Sequence, residues 1–114
     1  MGQLTTHVLD TSAGLPAAGV IIELSDATGS RVLSTQTGLD GRCASPLLAG
    51  VDLRRGRYTL TYHLAGYFRE RGIVLSDPAF LEQAIVSIGI ADAGQHYHVP
   101  LLITPWSYSV YRGG

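Results

Sequence analysis

The C-terminal end of the chain reads His96-Tyr97-His98-Val99-Pro100-Leu101-Leu102-Ile103-Thr104-Pro105-Trp106-Ser107-Tyr108-Ser109-Val110-Tyr111-Arg112-Gly113-Gly114. Two strand-like runs flank Thr104-Pro105-Trp106-Ser107, where the proline suits the second position of a type I turn. The pattern therefore predicts an antiparallel hairpin. Chain ends usually fray into polar residues, whereas this one is aromatic and β-branched, which indicates that the tail is held in the fold and used.

The four-residue turn also predicts the register of the hairpin. The expected pairs are Ile103 with Tyr108, Leu102 with Ser109, Pro100 with Tyr111 and His98 with Gly113. Because side chains alternate between the faces of a strand, His96, His98, Ser109 and Tyr111 share one face. His98 and Tyr111 become diagonal neighbours, roughly 7–8 Å apart. Both side chains can therefore contact one small ligand.

Short alternating segments recur along the rest of the chain. They predict strands over Leu4 to Asp10, Val20 to Leu24, Arg31 to Thr37, Arg57 to Leu64 and Ala84 to Ile90, with a short helix over Ala65 to Arg71. Turn signals such as Asp40-Gly41 separate them. Seven or eight short strands without a βαβ rhythm predict an all-β sandwich, as a single domain spanning residues 1–114.

The charge balance and cysteine content exclude several classes of protein. Nine acidic and eight basic residues nearly cancel, which argues against a nucleic-acid or anionic-membrane partner. Every basic residue is arginine, so lysine Schiff-base and P-loop lysine chemistry is excluded. One cysteine permits no intrachain disulfide, and no signal peptide or long apolar run is present. We therefore expect a soluble, cytoplasmic protein.

The four histidines are the strongest candidates for chemistry, because the chain has no G-x-S-x-G elbow and no paired carboxylates. His96 and His98, at alternate positions of one strand, could bind zinc together with His7. Strand alternation also produces this spacing by accident, and no cysteine or acidic ligand accompanies it. His63 stands alone on an outward face and is expected to be a hydrogen-bonded structural residue.

A metal-free alternative uses neutral imidazole as a general base or acid. An arginine nearby would bind an electron-rich substrate and hold developing negative charge. His7, Arg42 and His98 have the required chemistry. Their spacing in the sequence does not bring them together, and Arg42 by itself would be a solvated turn residue.

Several segments, in order along nearly the whole chain, resemble 5-hydroxyisourate hydrolases, the transthyretin-related enzymes of urate breakdown. They are Thr5-Thr6-His7-Val8-Leu9-Asp10, Gly14-Leu15-Pro16-Ala17, Asp40-Gly41-Arg42, Pro46-Leu47-Leu48-Ala49-Gly50, Gly56-Arg57-Tyr58, His96-Tyr97-His98-Val99-Pro100-Leu101-Leu102 and Tyr111-Arg112-Gly113. The His96–Leu102 block and the Tyr-Arg-Gly tail are the specific parts of this resemblance.

The resemblance implies a transthyretin-like sandwich of two four-stranded antiparallel sheets, with at most one short helix. It implies a homotetramer whose active sites lie in a channel at the subunit interface. The implied reaction is cyclic amide C–N hydrolysis of 5-hydroxyisourate to 2-oxo-4-hydroxy-4-carboxy-5-ureidoimidazoline, on the way from urate to allantoin. No metal or organic cofactor is implied.

The resemblance also implies roles for individual residues. His7 and His98 would handle protons, and which of them is the base stays open. Arg42 would orient the substrate and offset negative charge. Tyr111 would contact the substrate, together with the terminal residues Arg112, Gly113 and Gly114.

The tail departs from the family's usual Tyr-Arg-Gly-Ser, because Gly114 stands where serine is usual. We expect activity to be retained, since both histidines and Arg42 are present. A transthyretin-like carrier of small ligands is the main alternative, but a hormone channel has no need of this polar set. A structural or adhesion module is the third interpretation, and such modules usually belong to longer secreted chains.

Overall fold

A computed structural model describes residues 1–114, and it is built mainly of strands. The strands are β1 Gln3–Asp10, β2 Leu15–Pro16, β3 Ile21–Ser25, β4 Arg31–Gln36, β5 Leu48–Ala49, β6 Gly56–His63, β7 Gln83–Ile90, β8 His96–Ile103 and β9 Tyr108–Val110. One α-helix, α1, spans Leu64–Glu70, and Gly50–Asp52 forms a 3₁₀ turn. Each predicted strand is present, and the predicted helix begins one residue earlier than expected.

The strands form two sheets, as predicted. The first sheet has the order β2-β1-β8-β9, with β5 also paired to β1, and the second has the order β4-β3-β6-β7. The expected transthyretin-like sandwich of two sheets is confirmed, and the structure adds two details to it. The first sheet has five strands, and β1 runs parallel to β8. A parallel pair needs a long crossover connection. Here that connection is the stretch of chain between β1 and β8, which contains all four strands of the second sheet.

Alternation along β1 and β8 separates a buried face from an outer face. Leu4 and Val8 of β1 and Leu101 and Ile103 of β8 are fully buried between the sheets. Burying these apolar side chains removes them from water, which is the main favourable contribution to folding. Since side chains alternate, the residues between them, including the histidines of both strands, lie on the outer face of the first sheet.

The C-terminal hairpin has the predicted register. Leu102 pairs with Ser109 and Ile103 with Tyr108, and an isolated bridge pairs His98 with Gly113. At the turn, Thr104 Oγ1 accepts hydrogen bonds from the amides of Trp106 and Ser107 at 3.0 and 2.9 Å. The turn therefore fixes which side chains of the tail face the histidines of β8.

The helix α1 closes one end of the sandwich between β6 and β7. It buries Leu64, Ala65, Tyr67 and Phe68, so its apolar face packs onto the core. No helix in the structure is both long enough and apolar enough to cross a bilayer.

Candidate active site

Five of the residues singled out by sequence lie in a row across the outer face of the first sheet. Arg42 lies beside β1, His7 is on β1, and His98 is on the adjacent β8. The tail follows on the far side of β8, with Tyr111 and Gly113 opposite Pro100 and His98. One subunit therefore brings together what the sequence spacing could not.

The Asp40-Gly41-Arg42 turn is pressed against β1 at His7. The amide of Val8 donates to the Gly41 carbonyl at 2.9 Å, and His7 Nε2–H donates to the Asp40 carbonyl at 2.8 Å. Gly41 has φ of 78°, and a Cβ there would lie 2.4 Å from the Val8 carbonyl oxygen. Only glycine fits this approach, so Gly41 is what allows Arg42 to lie beside His7.

The hydrogen bond from Nε2 assigns the neutral tautomer of His7. A carbonyl oxygen only accepts, so the proton is on Nε2 and Nδ1 carries the lone pair. Nδ1 has no hydrogen-bond partner within the subunit. His7 therefore has one nitrogen that holds the ring in place and a second that is available for a ligand or a proton.

Thr5 connects the two histidines of β8. Its Oγ1 lies 2.8 Å from His98 Nδ1 and 3.1 Å from His96 Nε2. The amide nitrogen of Gln3 approaches the same His96 Nε2 at 3.4 Å. Because an amide NH₂ only donates, His96 Nε2 is the acceptor of both neighbours. The Thr5 hydroxyl then donates to His96 and accepts from His98 Nδ1–H, which leaves the lone pair of His98 on Nε2.

The surroundings of His98 favour its neutral form. Partial burial lowers the pKa of His98 below its ordinary 6.5, and the positive charge of Arg42 and the neighbouring His7 and His96 lower it further. Desolvation and like charge both disfavour an imidazolium. At neutral pH this imidazole is therefore unprotonated and able to accept a proton.

The tail covers His98 with glycine rather than with a side chain. The amide of Gly113 donates to the His98 carbonyl at 2.7 Å, and a Cβ on Gly113 would lie 2.7 Å from His98 Cδ2. The tail also borders an open cavity of about 430 Å³ at the edge of the sandwich, between β7 and β9. The buried residues Tyr97, Val99 and Val86 help to line it, so this cavity opens between the two sheets and not on the outer face that carries the imidazole of His98.

Arg112 and Gly114 are the remaining residues that the sequence predicted for the site. The Arg112 guanidinium donates to Gln95 Oε1 at 2.9 Å and to the His96 carbonyl at 3.3 Å, and it stacks 4.2 Å from the centre of the Tyr97 ring. It therefore ties the tail to the start of β8. Gly114 has no close neighbour. No three His, Cys, Asp or Glu side chains of the subunit are placed to hold a metal ion.

His63 is hydrogen-bonded at the surface, as predicted. It lies on the second sheet, and its Nε2 is 2.6 Å from Glu23 Oε1. This contact, more than any other, holds the pKa of Glu23 below its usual value. His63 therefore has a partner outside the row of candidate residues.

Thr5 is the residue that sequence analysis missed. It precedes His7 by two positions, so alternation alone places it on the same face. What the sequence did not show is that β1 lies next to β8, with Thr5 directly opposite His98. Threonine at an outward strand position is otherwise unremarkable, because its strand propensity is high.

The polar face rests on a buried polar contact between the two sheets. Thr6 Oγ1 donates to the Val99 carbonyl at 2.7 Å and accepts from the Tyr62 hydroxyl at 2.8 Å. Burial raises the pKa of Tyr62, so it is a neutral donor. This link holds β1 and β8 at fixed positions behind Thr5 and His98.

Comparisons with known proteins cover nearly the whole chain. Residues 4–113 match the model of the HIUase/Transthyretin family. A 5-hydroxyisourate hydrolase of Pseudomonas aeruginosa is 51% identical over 116 residues, covering 99% of this chain and 92% of the relative. The solved structure of Klebsiella pneumoniae 5-hydroxyisourate hydrolase is 33% identical with a TM-score of 0.85, and each chain is covered completely.

A third match is to a larger protein. The crystal structure of an (S)-allantoin synthase is 39% identical with a TM-score of 0.93 and covers 99% of this chain. The chain spans only 44% of that protein. The similarity therefore concerns one part of a longer polypeptide.

Proposed function

The chain belongs to the HIUase/transthyretin family, and on that premise we propose that His7, Arg42 and His98 carry out the hydrolysis of 5-hydroxyisourate. The relatives are named 5-hydroxyisourate hydrolases. In the reaction that we propose, water cleaves a ring C–N bond of the cyclic amide and gives 2-oxo-4-hydroxy-4-carboxy-5-ureidoimidazoline. The observation that carries the residue assignment is the row formed by these three side chains on one face of one subunit.

We assign the general base to His98. Its Nε2 carries the lone pair when Thr5 accepts from Nδ1–H, and its lowered pKa keeps it unprotonated at neutral pH. A base must be deprotonated and within hydrogen-bond reach of the proton that it removes. His98 Nε2 would take a proton from the attacking water, while Thr5 and His96 hold the ring in the correct tautomer.

Arg42 and His7 complete the reaction. Attack on the carbonyl develops negative charge on its oxygen, and the exposed guanidinium of Arg42, which makes no ion pair in the subunit, can stabilise it. The leaving ring nitrogen must gain a proton as the C–N bond breaks. The imidazolium of His98 can return that proton, and His7 Nδ1 is the second group on this face able to carry one.

Tyr111 and the tail are assigned to substrate contact. Tyr111 is exposed and lies opposite Pro100, so alternation places its side chain on the same outer face as His98, where it can contact the substrate. Gly113, which pairs with His98, and the adjoining Gly114 bring the tail backbone to the same strand. Arg112 belongs to the same tail, and its hydrogen bond to Gln95 holds the tail in place.

No organic cofactor is needed for this chemistry, and we propose that no metal is needed either. The direct test follows the ultraviolet absorbance of freshly generated 5-hydroxyisourate, with and without a chelator. We expect decay well above the spontaneous rate that a chelator leaves unchanged. Decay at the spontaneous rate would overturn the hydrolase assignment in favour of a ligand carrier, and loss of activity with chelator would favour a zinc site on His7, His96 and His98.

We also propose a homotetramer with the sites at its subunit interfaces, in the cytoplasm. Large apolar side chains are exposed on β9, its turn and the adjoining edge strand, namely Trp106, Tyr108, Val110 and Ile85. Both β7 and β9 are edge strands, with unpaired backbone groups that favour association. Sedimentation should give four times the subunit mass. A Val110→Glu variant should give smaller species, and a wild-type monomer would contradict the proposal.

A further inference from the structure

His96 is the histidine of the outer face to which the proposed mechanism gives no proton-transfer step. It begins β8, and its side chain is exposed, whereas that of His98 is partly buried. The centres of the two rings are 6.4 Å apart, and the hydrogen bonds of both rings go to Thr5 rather than to each other. Any exchange of a proton between the two imidazoles therefore passes through the hydroxyl of Thr5.

The hydrogen bonds of Thr5 form a chain with one direction. Its hydroxyl accepts from His98 Nδ1–H at 2.8 Å and donates to His96 Nε2 at 3.1 Å. The Gln3 amide, at 3.4 Å, donates to the same nitrogen, so His96 Nε2 carries a lone pair and ends the chain. Both donors of the chain thus point from His98 towards His96, as a stepwise transfer of protons in that direction requires.

The surroundings of His98 oppose the positive charge that a general base acquires. Partial burial lowers the pKa of His98, and the charges of Arg42, His7 and His96 lower it further. An imidazolium at this position is therefore disfavoured both by desolvation and by the nearby guanidinium. Catalysis by His98 is easier if the ring loses its Nδ1 proton as it gains one at Nε2.

His96 is a more favourable place for the positive charge. It lies four residues before Pro100, which pairs with His7 in the register of β1 and β8, so His98 lies between His96 and the His7 side of the face. Because the His96 ring is exposed, water stabilises its charged form. Arg112 is the charged group on its side, and that guanidinium is held on the His96 carbonyl. No carboxylate pairs with the ring.

We propose that His96 is the terminal acceptor of a proton relay that begins at His98 and passes through the hydroxyl of Thr5. The inference rests on the proposed function. It gives His96 a part in the proton transfer although this side chain does not touch the substrate, because it acts through Thr5 and His98. The relay would carry the positive charge out of the site and into water.

The relay consists of three transfers that balance. His98 Nε2 takes a proton from the attacking water, His98 Nδ1 gives its proton to Thr5 Oγ1, and Thr5 gives its own proton to His96 Nε2. Each transfer breaks one N–H or O–H bond and forms another, so His98 ends neutral and His96 positive. The Gln3 contact, the longest of the three at 3.4 Å, is released when Nε2 is protonated. The reverse sequence delivers a proton from His98 Nε2 to the leaving ring nitrogen.

The test separates proton acceptance by His96 from simple hydrogen bonding. His96→Gln keeps an acceptor oxygen at a similar reach, but its amide takes up no proton near neutral pH, and His96→Ala removes the group. We expect both variants to lower kcat for 5-hydroxyisourate about tenfold, with KM nearly unchanged because His96 does not contact the substrate. His63→Gln, on the second sheet, is the matched control and should keep the activity of the wild type.

Added base gives a second readout that a purely structural role would not change. At about pH 7.5, where most imidazole is unprotonated, imidazole should raise the kcat of His96→Ala at least about threefold, because it can take the proton of Thr5. Pyrazole, a ring of the same size that is hardly basic, should have no such effect. Thr5→Val lacks the hydroxyl of the relay and should not respond to imidazole.

Three results would overturn the inference while the hydrolase assignment stands. They are wild-type activity of His96→Gln, no response of His96→Ala to imidazole, and equal responses to imidazole and pyrazole. Each would mean that His96 only orients the hydroxyl of Thr5. Absence of hydrolysis by the wild type would overturn the proposed function and this inference with it.

Discussion

A hydroxyl group on β1 determines which nitrogen of His98 carries the lone pair. The Thr5 hydroxyl is shared between His98 Nδ1 and His96 Nε2. The Gln3 side chain, which donates to His96, therefore also sets the tautomer of the His98 ring through Thr5. Without it, His98 can adopt either neutral tautomer and rotate more freely. Thr5 is thus a positioning residue that acts through His98.

Replacing Thr5 tests this arrangement. We expect Thr5→Val to lower kcat about tenfold and to change the pH profile, while Thr5→Ser keeps most of the activity because it retains the hydroxyl. General base catalysis contributes about 100-fold to 10,000-fold, and a misoriented base loses part of that. Thr61→Val, on the second sheet, is the matched control. Similar kcat values for Thr5→Val and Thr61→Val would exclude a positioning role.

The lowered pKa of His98 predicts how the rate depends on pH. Protonation abolishes the lone pair of the base, so kcat/KM should fall as pH decreases through the pKa of His98. Since burial and the charge of Arg42 lower that pKa, the midpoint should lie below the ordinary histidine value of about 6.5. A profile from about pH 8 to pH 4 checks this. A midpoint above the ordinary value, or no decrease at all, would contradict the assignment.

The two terminal glycines should respond differently to substitution. Gly113→Ala places a Cβ 2.7 Å from His98 Cδ2, whereas Gly114 has no neighbour within 4 Å of an added Cβ. We expect Gly113→Ala to lower kcat/KM about tenfold or more, because misplacement of about 1 Å near the chemistry is costly, and Gly114→Ala to have little effect. Gly114→Ser should also change little, and an increase of about a hundredfold would show that a terminal hydroxyl matters.

At the scale of elements, one buried carboxylate joins the end of β1 to α1. Asp10 accepts hydrogen bonds from Ser12 and Ala13 amides and from the Tyr67 hydroxyl at 2.9 Å. Burial, with Asp10 as acceptor, raises the pKa of Tyr67 to about 12, so Tyr67 remains a donor. The helix is held against the first sheet by this contact as well as by its apolar face.

Asp10→Asn should therefore reduce stability without altering the chemistry. We expect a loss of about 1–3 kcal/mol in the free energy of unfolding, the usual cost of disrupting a buried hydrogen-bonded group. Denaturant unfolding measures it, with the exposed Asp77→Asn as the control. Equal stability of the two variants would show that Asp10 is not a structural link.

Local patterns predicted the seven longer strands, but not the two-residue strands β2 and β5 and not all of the strand partners. The register of β8 and β9 followed from a four-residue turn, because a short connection leaves few alternatives. The parallel pairing of β1 with β8 joins segments about ninety residues apart, and no local signal specifies such a pair. The position of Arg42 beside His7 depends on the same long-range packing, so the residue types were predictable and their convergence was not.

At the scale of the whole molecule, polar and apolar outer surfaces are separated. The outer face of the first sheet carries His7, His96 and His98, one end of the sandwich carries Arg54, Arg55 and Arg57, and β9 presents exposed apolar side chains. A single chain therefore contains all of the side chains to which we assign the catalysis. Assembly would enclose this face and exclude water, which strengthens electrostatic interactions within a site.

The most direct test of the central claim, that this outer face is the catalytic site, compares His98→Ala with His63→Ala in the hydrolysis of 5-hydroxyisourate. Both substitutions remove one imidazole, but only His98 lies in the row with Arg42 and His7. We predict that His98→Ala lowers kcat at least about a hundredfold, while His63→Ala stays near the wild type. Equal activity of the two variants would contradict the placement of the site.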